Sequence, residues 1–295
     1  MTTALADARR GHRGLFAFAV AMSALTLVLG VLAVVDDRVL LSAPLWLKPL
    51  KFAISLALYS ATLAWMLGQL RERALQRSGW IVTIAAAVEM AIIVGQAAVG
   101  NRSHYNMDTP LSAALWSTMG VTIAVLWLAT LAVALRFLRE PGRDRAAGSA
   151  IRLGLVVALI GLGEGFLMAS MGAHAVGVPD GGPGLPLVGW STTGGDLRIA
   201  HFVGMHALQG LPLLAFGLAA TRLDEHTRVR LVRITAAAWT GLVVLLTWQA
   251  QRAQPLLAPD ATTLAALATL VALTAAATTV VVRAVRQRSD VSAVS

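Results

Sequence analysis

Cysteine is missing altogether from these 295 residues, charged residues make up only 13%, and tyrosine occurs twice. The first absence excludes disulfides, thiolate metal ligands and thiol redox chemistry, so any metal would have to be held by histidine, methionine or carboxylate. The scarcity of charge excludes a water-soluble domain. With 57% hydrophobic residues and a mean hydropathy of +0.72, too little polar surface remains to cover a globule. Motifs for nucleotide binding, serine hydrolysis or zinc proteolysis are also lacking, since the glycines of residues 181–184 (GGPG) and 192–195 (TTGG) follow no strand-like segment.

What is present is apolar length. A spanning helix needs roughly 20 mainly apolar residues, and eight runs supply them: Gly14 to Val35, Ala43 to Leu67, Trp80 to Gly100, Pro110 to Phe137, Arg152 to Val176, Leu197 to Ala219, Leu231 to Gln249, and Asp260 to Val282. Buried helices of a soluble protein do not explain them, because none would keep a polar face for water. The first run follows Arg9, Arg10 and Arg13 as a signal peptide would, but its roughly 22 apolar residues exceed a cleavable core. The expected architecture is an all-α integral membrane protein with an eight-helix transmembrane bundle. Its parts are an N-terminal segment (1–13), spans one to four (14–137), a linker (138–151), spans five to eight (152–283) and a tail (284–295).

The net charge of +9 resembles a nucleic-acid signal until the cations are placed. Eighteen of the 24 lie in the N-terminus (Arg9, Arg10, Arg13), the second loop (Arg71, Arg73, Arg77), the fourth (Arg136, Arg139, Arg143, Arg145, Arg152), the sixth (Arg222, Arg228, Arg230, Arg233) and the tail (Arg283, Arg286, Arg288). The positive-inside rule makes those regions cytoplasmic. The expectation is a multi-pass protein of the cell (inner or plasma) membrane with both termini inside, partnered by the lipid bilayer and not by nucleic acid.

A tandem repeat is the next expectation. Leu47-Lys48-Pro49-Leu50-Lys51-Phe52 can be laid on Leu197-Arg198-Ile199-Ala200-His201-Phe202, and a similar offset places Asp108 and Ala113-Ala114-Leu115 on Asp260 and Ala265-Ala266-Leu267. An even number of helices per half makes the duplication parallel, four plus four. Spans two, four, six and eight would begin outside, with start signals at Ser42 and Pro44, at Asp108 and Pro110, at Asp196 and at Asp260. The Gly- and Pro-rich stretch from Val176 to Asp196 reads as an irregular outer linker that could cover a site.

Charge inside hydrocarbon costs several kcal/mol and is seldom kept without a partner or a cavity. Span three carries Glu89 and Gln96; span five carries Glu164, Met168, Met171 and His174 at helical spacing. At about 1.5 Å per residue, Glu89, Glu164 and His206 fall near the midplane, while Lys51, Gln96, His174 and His201 lie in the outer half. Lys48, Arg102, His104 and Arg198 stand at the mouth. These placements suggest an outward-opening polar site in which Lys51 pairs with Glu89 or Glu164, and the cations Lys48 with Lys51, or Arg198 with His201, grip a small anionic or lipophilic ligand from the outer side.

Three function classes follow. The first is a redox protein holding haem or a metal, in which His104, His174, His201 and His206 are the cofactor-binding imidazoles and Lys48, Lys51, Arg102 and Arg198 their charged surroundings. His174 and His206 would be axial ligands, with Lys48, Arg102 and Arg198 neutralising propionates. Copper or another metal is the alternative, with the Glu164, Met168, Met171 and His174 stripe suited to copper; His201 and His206 are also candidate metal ligands, although five residues apart they cannot hold one small ion from the same face. The second class is a transporter or channel for small anions or protons. The third is an intramembrane enzyme on a lipophilic substrate, with Glu89, Glu164 and His206 as catalytic acid and base groups.

Overall fold

The computed structural model describes residues 2–70, 72–139 and 144–294, with the backbone alone over 2–5, 286 and 288–294. Arg71 and Arg143, and the side chains of Arg286 and Arg288, lie outside the described residues. Among the described residues, eight helices are long and apolar enough to cross a membrane. The chain divides into two compact units. One comprises Met1–Val133, Leu167–His174 and Pro179–Ser191; the other comprises Ala134–Phe166, Ala175–Val178 and Thr192–Ser295.

In the first unit, a short helix α1 (Thr2–Gly11) precedes α2 (Arg13–Val35), and His12 separates them by turning its ring back to accept a hydrogen bond from the Leu15 amide. Helix α2 leads into a two-residue ribbon, β1 (Val39–Leu40) paired antiparallel with β2 (Ala43–Pro44). Leu41 and Ser42 between them both have positive φ, 51° and 61°, as a tight hairpin whose twist matches its strands requires. Span two therefore starts at Leu47, not at Ala43: Ser42 and Pro44 belong to the ribbon, and α3 runs Leu47–Leu70. Helices α4 (Arg73–Ala98) and α5 (Pro110–Arg139) follow. Thr109, not Asp108, caps α5, accepting from the Ser112 amide with Pro110 at the first helical position.

Met22 and Leu29 of α2, Trp46, Ala53 of α3, and Met90 and Ala97 of α4 form one core of this unit. Between α3 and α5, Tyr59 and Thr130 share a buried hydroxyl hydrogen bond of 2.5 Å. Close backbone approach fixes the N-terminal end, where Gly11 of α1 lies against the Ala64 carbonyl and Gly68 of α3.

The second unit takes in the end of α5 from Ala134 and α6 (Arg145–Met171) as far as Phe166, and the first turn of α6 is capped by Asp144 through the Ala147 amide. The ribbon recurs as β3 (Ala175–Val176) against β4 (Gly195–Asp196). The stretch expected to be irregular is thus clamped at its base, and within the first unit Gly184 bridges Ser191. Asp196 caps α7 (Leu197–Met205) through the Arg198 amide. The sixth span is interrupted at His206 and resumes as α8 (Ala207–Ala219). At the break the Val203 carbonyl accepts from Trp239 Nε1 at 2.8 Å, and further on Pro212 supplies no amide hydrogen to the Leu208 carbonyl. Asp224 caps α9 (Glu225–Gln251), and Asp260 caps α10 (Ala261–Val294) through the Thr263 amide.

Ala150 of α6, Leu211 and Ala215 of α8, and Val232 and Ala236 of α9 make a small-residue core. Helices α6 and α9 run in the same direction. Their beginnings are tied by Arg228 to Asp144 at 3.1 Å and by the Arg145 amide to Glu225, and their far ends by Thr247 to Glu164.

Candidate intramembrane polar sites

The first unit holds Glu89 on α4, 2% exposed. Its Oε1 accepts a hydrogen bond of 2.8 Å from the Thr122 hydroxyl of α5. That hydroxyl also stands 3.0 Å from the Thr118 carbonyl, the ordinary partner of a threonine one turn back along its own helix. Lys48 of α3 is the cation within electrostatic reach of Glu89. Lys51, one turn further along α3, donates from Nζ to the Val188 carbonyl at 2.8 Å and so anchors the loop of residues 179–191, a partner that sequence alone did not suggest.

His104 and Arg102 sit in the connection between α4 and α5. The His104 ring is packed edge-on against Phe52 and Tyr105 and tilted against Trp116, and its Nδ1 lies 3.0 Å from the Ser103 hydroxyl. Arg102 pairs with Asp108 at 3.1 Å. The stripe expected to end in His174 does not. Helix α6 stops at Met171, Gly172 takes φ +67°, and His174 lies beyond the helix with Nδ1 3.3 Å from Asp180. Met168 is buried, whereas Met171 is 44% exposed. The helical spacing of Met168 and Met171 therefore does not continue to His174.

The second unit holds Glu164, His201 and His206. Glu164 of α6 accepts at Oε1 from the Thr247 hydroxyl of α9 at 2.7 Å, and that hydroxyl again lies within 2.9 Å of a carbonyl four residues back, that of Val243. Its Oε2 is buried and makes no hydrogen bond. One turn away on α6, Gly161 meets Gly204 of α7 so closely that a methyl on Gly161 would collide with the Met205 amide nitrogen. This contact lays His201 along α6, its Nδ1 2.7 Å from the Gly161 carbonyl and its Cε1 near Gly165. His206, at the helix break, stacks edge-on with Phe202 at 4.4 Å and holds Nδ1 3.2 Å from Gln209 Oε1. Phe202 and Gln209 lie four residues before and three after it. Each imidazole is thus oriented through Nδ1, while its Nε2 has no partner among the described residues.

Arg198 is occupied. It closes a two-bond fork on Asp196, Nε to Oδ1 at 2.9 Å and an outer nitrogen to Oδ2 at 2.6 Å, over a carboxylate 1% exposed. Arg38 grips Asp36 in the same D-x-R arrangement, and Trp46 Nε1 adds a 2.7 Å bond. Arg38's guanidinium holds the Asp36 carboxyl well below the usual carboxylate range, and Arg252 does the same to Asp260. The cations at these connections are therefore matched by aspartates within each unit, which leaves less free positive charge there than the cation pattern alone suggested.

No family model, curated protein or solved structure matches the chain.

Among the described residues no three His, Asp or Glu side chains gather as a group able to hold a metal ion. His201 and His206 each fit a single bond from Nε2 to a haem iron or another metal, because an Nδ1 hydrogen-bonded to a carbonyl or amide oxygen is the usual support of a ligating imidazole. The threonines that accompany the two carboxyls were missed in the sequence. Thr122 and Thr247 look there like any of the span threonines that bond their own helix; only helix packing brings them to Glu89 and Glu164.

Proposed function

We propose that this chain is a multi-pass protein of the cell membrane, with both termini cytoplasmic, in which Glu89 and Glu164 take up and release protons as a small anion or the proton itself is moved. The observation that carries this reading is the Glu–Thr pair. Each threonine has one hydroxyl proton and at least two acceptors within reach, the carboxyl and its own i−4 carbonyl, to which Thr122 adds the Met119 carbonyl. With the carboxyl ionised, the hydroxyl turns to it. With the carboxyl protonated, the acid donates to the threonine oxygen and the hydroxyl proton turns to the carbonyl. Both states are hydrogen-bonded, so exchange of one proton needs only a turn of the hydroxyl about the Cβ–Oγ1 bond. The interrupted helix at His206 supports the same class, since transporters commonly build midplane sites where a span is broken.

The proposal includes a four-plus-four parallel duplication. Each unit has the same order: a long helix, a two-residue ribbon, a helix opening on Leu and a cation, then two more helices. In both, the glutamine near the end of the third spanning helix (Gln96, Gln249) accepts through its carbonyl from the amide five residues on, and the next connection carries an arginine–aspartate pair, Arg102–Asp108 or Arg252–Asp260. The break at His206 marks where the halves differ.

Proton flux into liposomes containing the purified protein, with membrane potential clamped by valinomycin and potassium and read by trapped pyranine, tests this. Wild-type protein should dissipate an imposed pH gradient faster than empty vesicles, and Glu89→Gln or Glu164→Gln should return the rate to that of empty vesicles. Wild-type flux equal to background, or flux unchanged in both variants, overturns it.

Cofactor binding is the second reading, favoured by the unpartnered Nε2 atoms of His201 and His206. A visible absorbance band in the purified protein, lost in His201→Ala or His206→Ala, would select it.

A further inference from the structure

At the basic end of the second unit, helices α6 and α9 leave a groove between them, with Leu138 near the end of α5 also on its wall. Its open cavity measures about 460 Å³. Helix α6 contributes Ser149, Arg152, Leu153, Val156 and Val157, and α9 contributes Arg233, Ala236, Ala237 and Thr240. The α9 set falls at i, i+3, i+4 and i+7 and the α6 set adds i+8, so each is one continuous helical face. The two helix beginnings are level, being tied by Arg228 to Asp144 and by the Arg145 amide to Glu225. Arg152 lies seven residues into α6 and Arg233 eight into α9, so at about 1.5 Å per residue the two guanidinium-bearing positions differ by only about one rise along parallel axes.

Two arginines therefore flank the groove at the same depth, with the Ser149 hydroxyl within 3.5 Å of the Arg152 guanidinium. Beyond them, deeper along the helices, the lining turns apolar. Val156 and Leu153 face Ala236 and Ala237, whose small side chains leave the volume open, and the Thr240 hydroxyl is the last polar group.

A soluble anion would use the cations and leave the apolar channel empty. A zwitterionic lipid would fill the channel but bring its own cation to the arginines. An anionic phospholipid matches both parts at once. We propose that this groove is a binding site for an anionic phospholipid, with the phosphate held between Arg152 and Arg233 and an acyl chain laid against Val156 and Ala237. Planar guanidinium groups suit phosphate because they present paired donors, and the leaflet that carries anionic lipid is the one facing arginine-rich loops.

Equilibrium binding of dioleoyl phosphatidylglycerol to the delipidated protein in neutral-detergent micelles tests the proposal. Dioleoyl phosphatidylcholine and inorganic phosphate serve as competitors. Phosphatidylglycerol should bind at least about tenfold more tightly than phosphatidylcholine. Arg152→Ala with Arg233→Ala should weaken it about 30-fold, the effect of two cations near an anionic headgroup. Arg152→Lys with Arg233→Lys should keep most of the preference. Val156→Phe should lose the lipid with both arginines in place, so the test survives poor folding of the alanine pair. Arg222→Ala, outside the groove, should bind as wild type does. Equal binding of the two lipids, or wild-type binding by both the alanine pair and Val156→Phe, overturns the proposal. Competition by inorganic phosphate at its own concentration as effective as by phosphatidylglycerol would assign the arginines to a soluble anion and overturn the lipid.

Discussion

His12 shows how one side chain can hold three helices. Its ring is 1% exposed, accepts from the Leu15 amide through Nδ1 and meets the Gln76 carbonyl through Nε2, while Gln76 returns a bond to the Gly11 carbonyl. Only a neutral imidazole can accept at Nδ1, and burial lowers the pKa of His12 from its ordinary value. With the folded value depressed, the unfolded chain binds the proton first. The stabilisation is therefore complete above pH about 6.5 and is lost as pH falls from there through the folded value. His12→Asn keeps a capping acceptor but cannot titrate. Melting temperatures measured from pH 8 to pH 5 should fall more steeply for wild type than for the variant, and parallel curves would deny His12 this part. His12→Ala should cost about 1 kcal/mol as a lost cap. None of this was legible in the sequence, where His12 is one polar residue among arginines. The intramembrane acids and imidazoles were legible, because an ionisable residue in an apolar run stands out whatever it touches. Their partners were not, because Thr122, Thr247 and the Val188 carbonyl are set by packing between segments far apart in the chain.

Helices were read well in their interiors and poorly at their ends. Apolar length determines that a span exists, but two-residue ribbons decide where α3 begins and where α6 stops, and no periodicity can register a strand of two residues. The break at His206 was also missed, since Leu197 to Ala219 is apolar throughout and Pro212 alone announces the interruption. Pro212→Ala restores an amide donor to the Leu208 carbonyl. The variant should melt higher than wild type and carry protons more slowly if the interruption serves movement; unchanged flux would make the break incidental. The crossing of α6 and α7 gives a cleaner prediction. Gly161→Ala should destabilise by about 1–3 kcal/mol through overpacking, whereas Gly163→Ala on the same helix, where an added methyl meets nothing within 4 Å, should be close to neutral. Denaturation in mixed micelles compares them, and equal effects would mean that α6 and α7 do not cross there.

For the whole molecule, the amount and placement of charge carried most of the reading. Exposed apolar side chains such as Leu27, Leu213, Val271 and Leu273 have no place in water, and on a spanning helix they are the lipid-facing surface. Which end of each helix faces the cytoplasm rests on the arginine asymmetry alone. The lack of native cysteine makes this directly measurable, since a single introduced thiol is the only one in the chain. Met107, Leu187 and Leu257 are exposed in the third, fifth and seventh connections, and Ala74 and Thr221 beside the second and sixth. A membrane-impermeant maleimide should label Met107→Cys, Leu187→Cys and Leu257→Cys in intact cells, and should label Ala74→Cys and Thr221→Cys only after permeabilisation. The reverse pattern would invert the protein and place Arg152 and Arg233 in the outer leaflet. If one of the three outer positions required permeabilisation while its neighbours did not, the alternation itself would fail, and at least one of the eight apolar helices would have to lie without crossing.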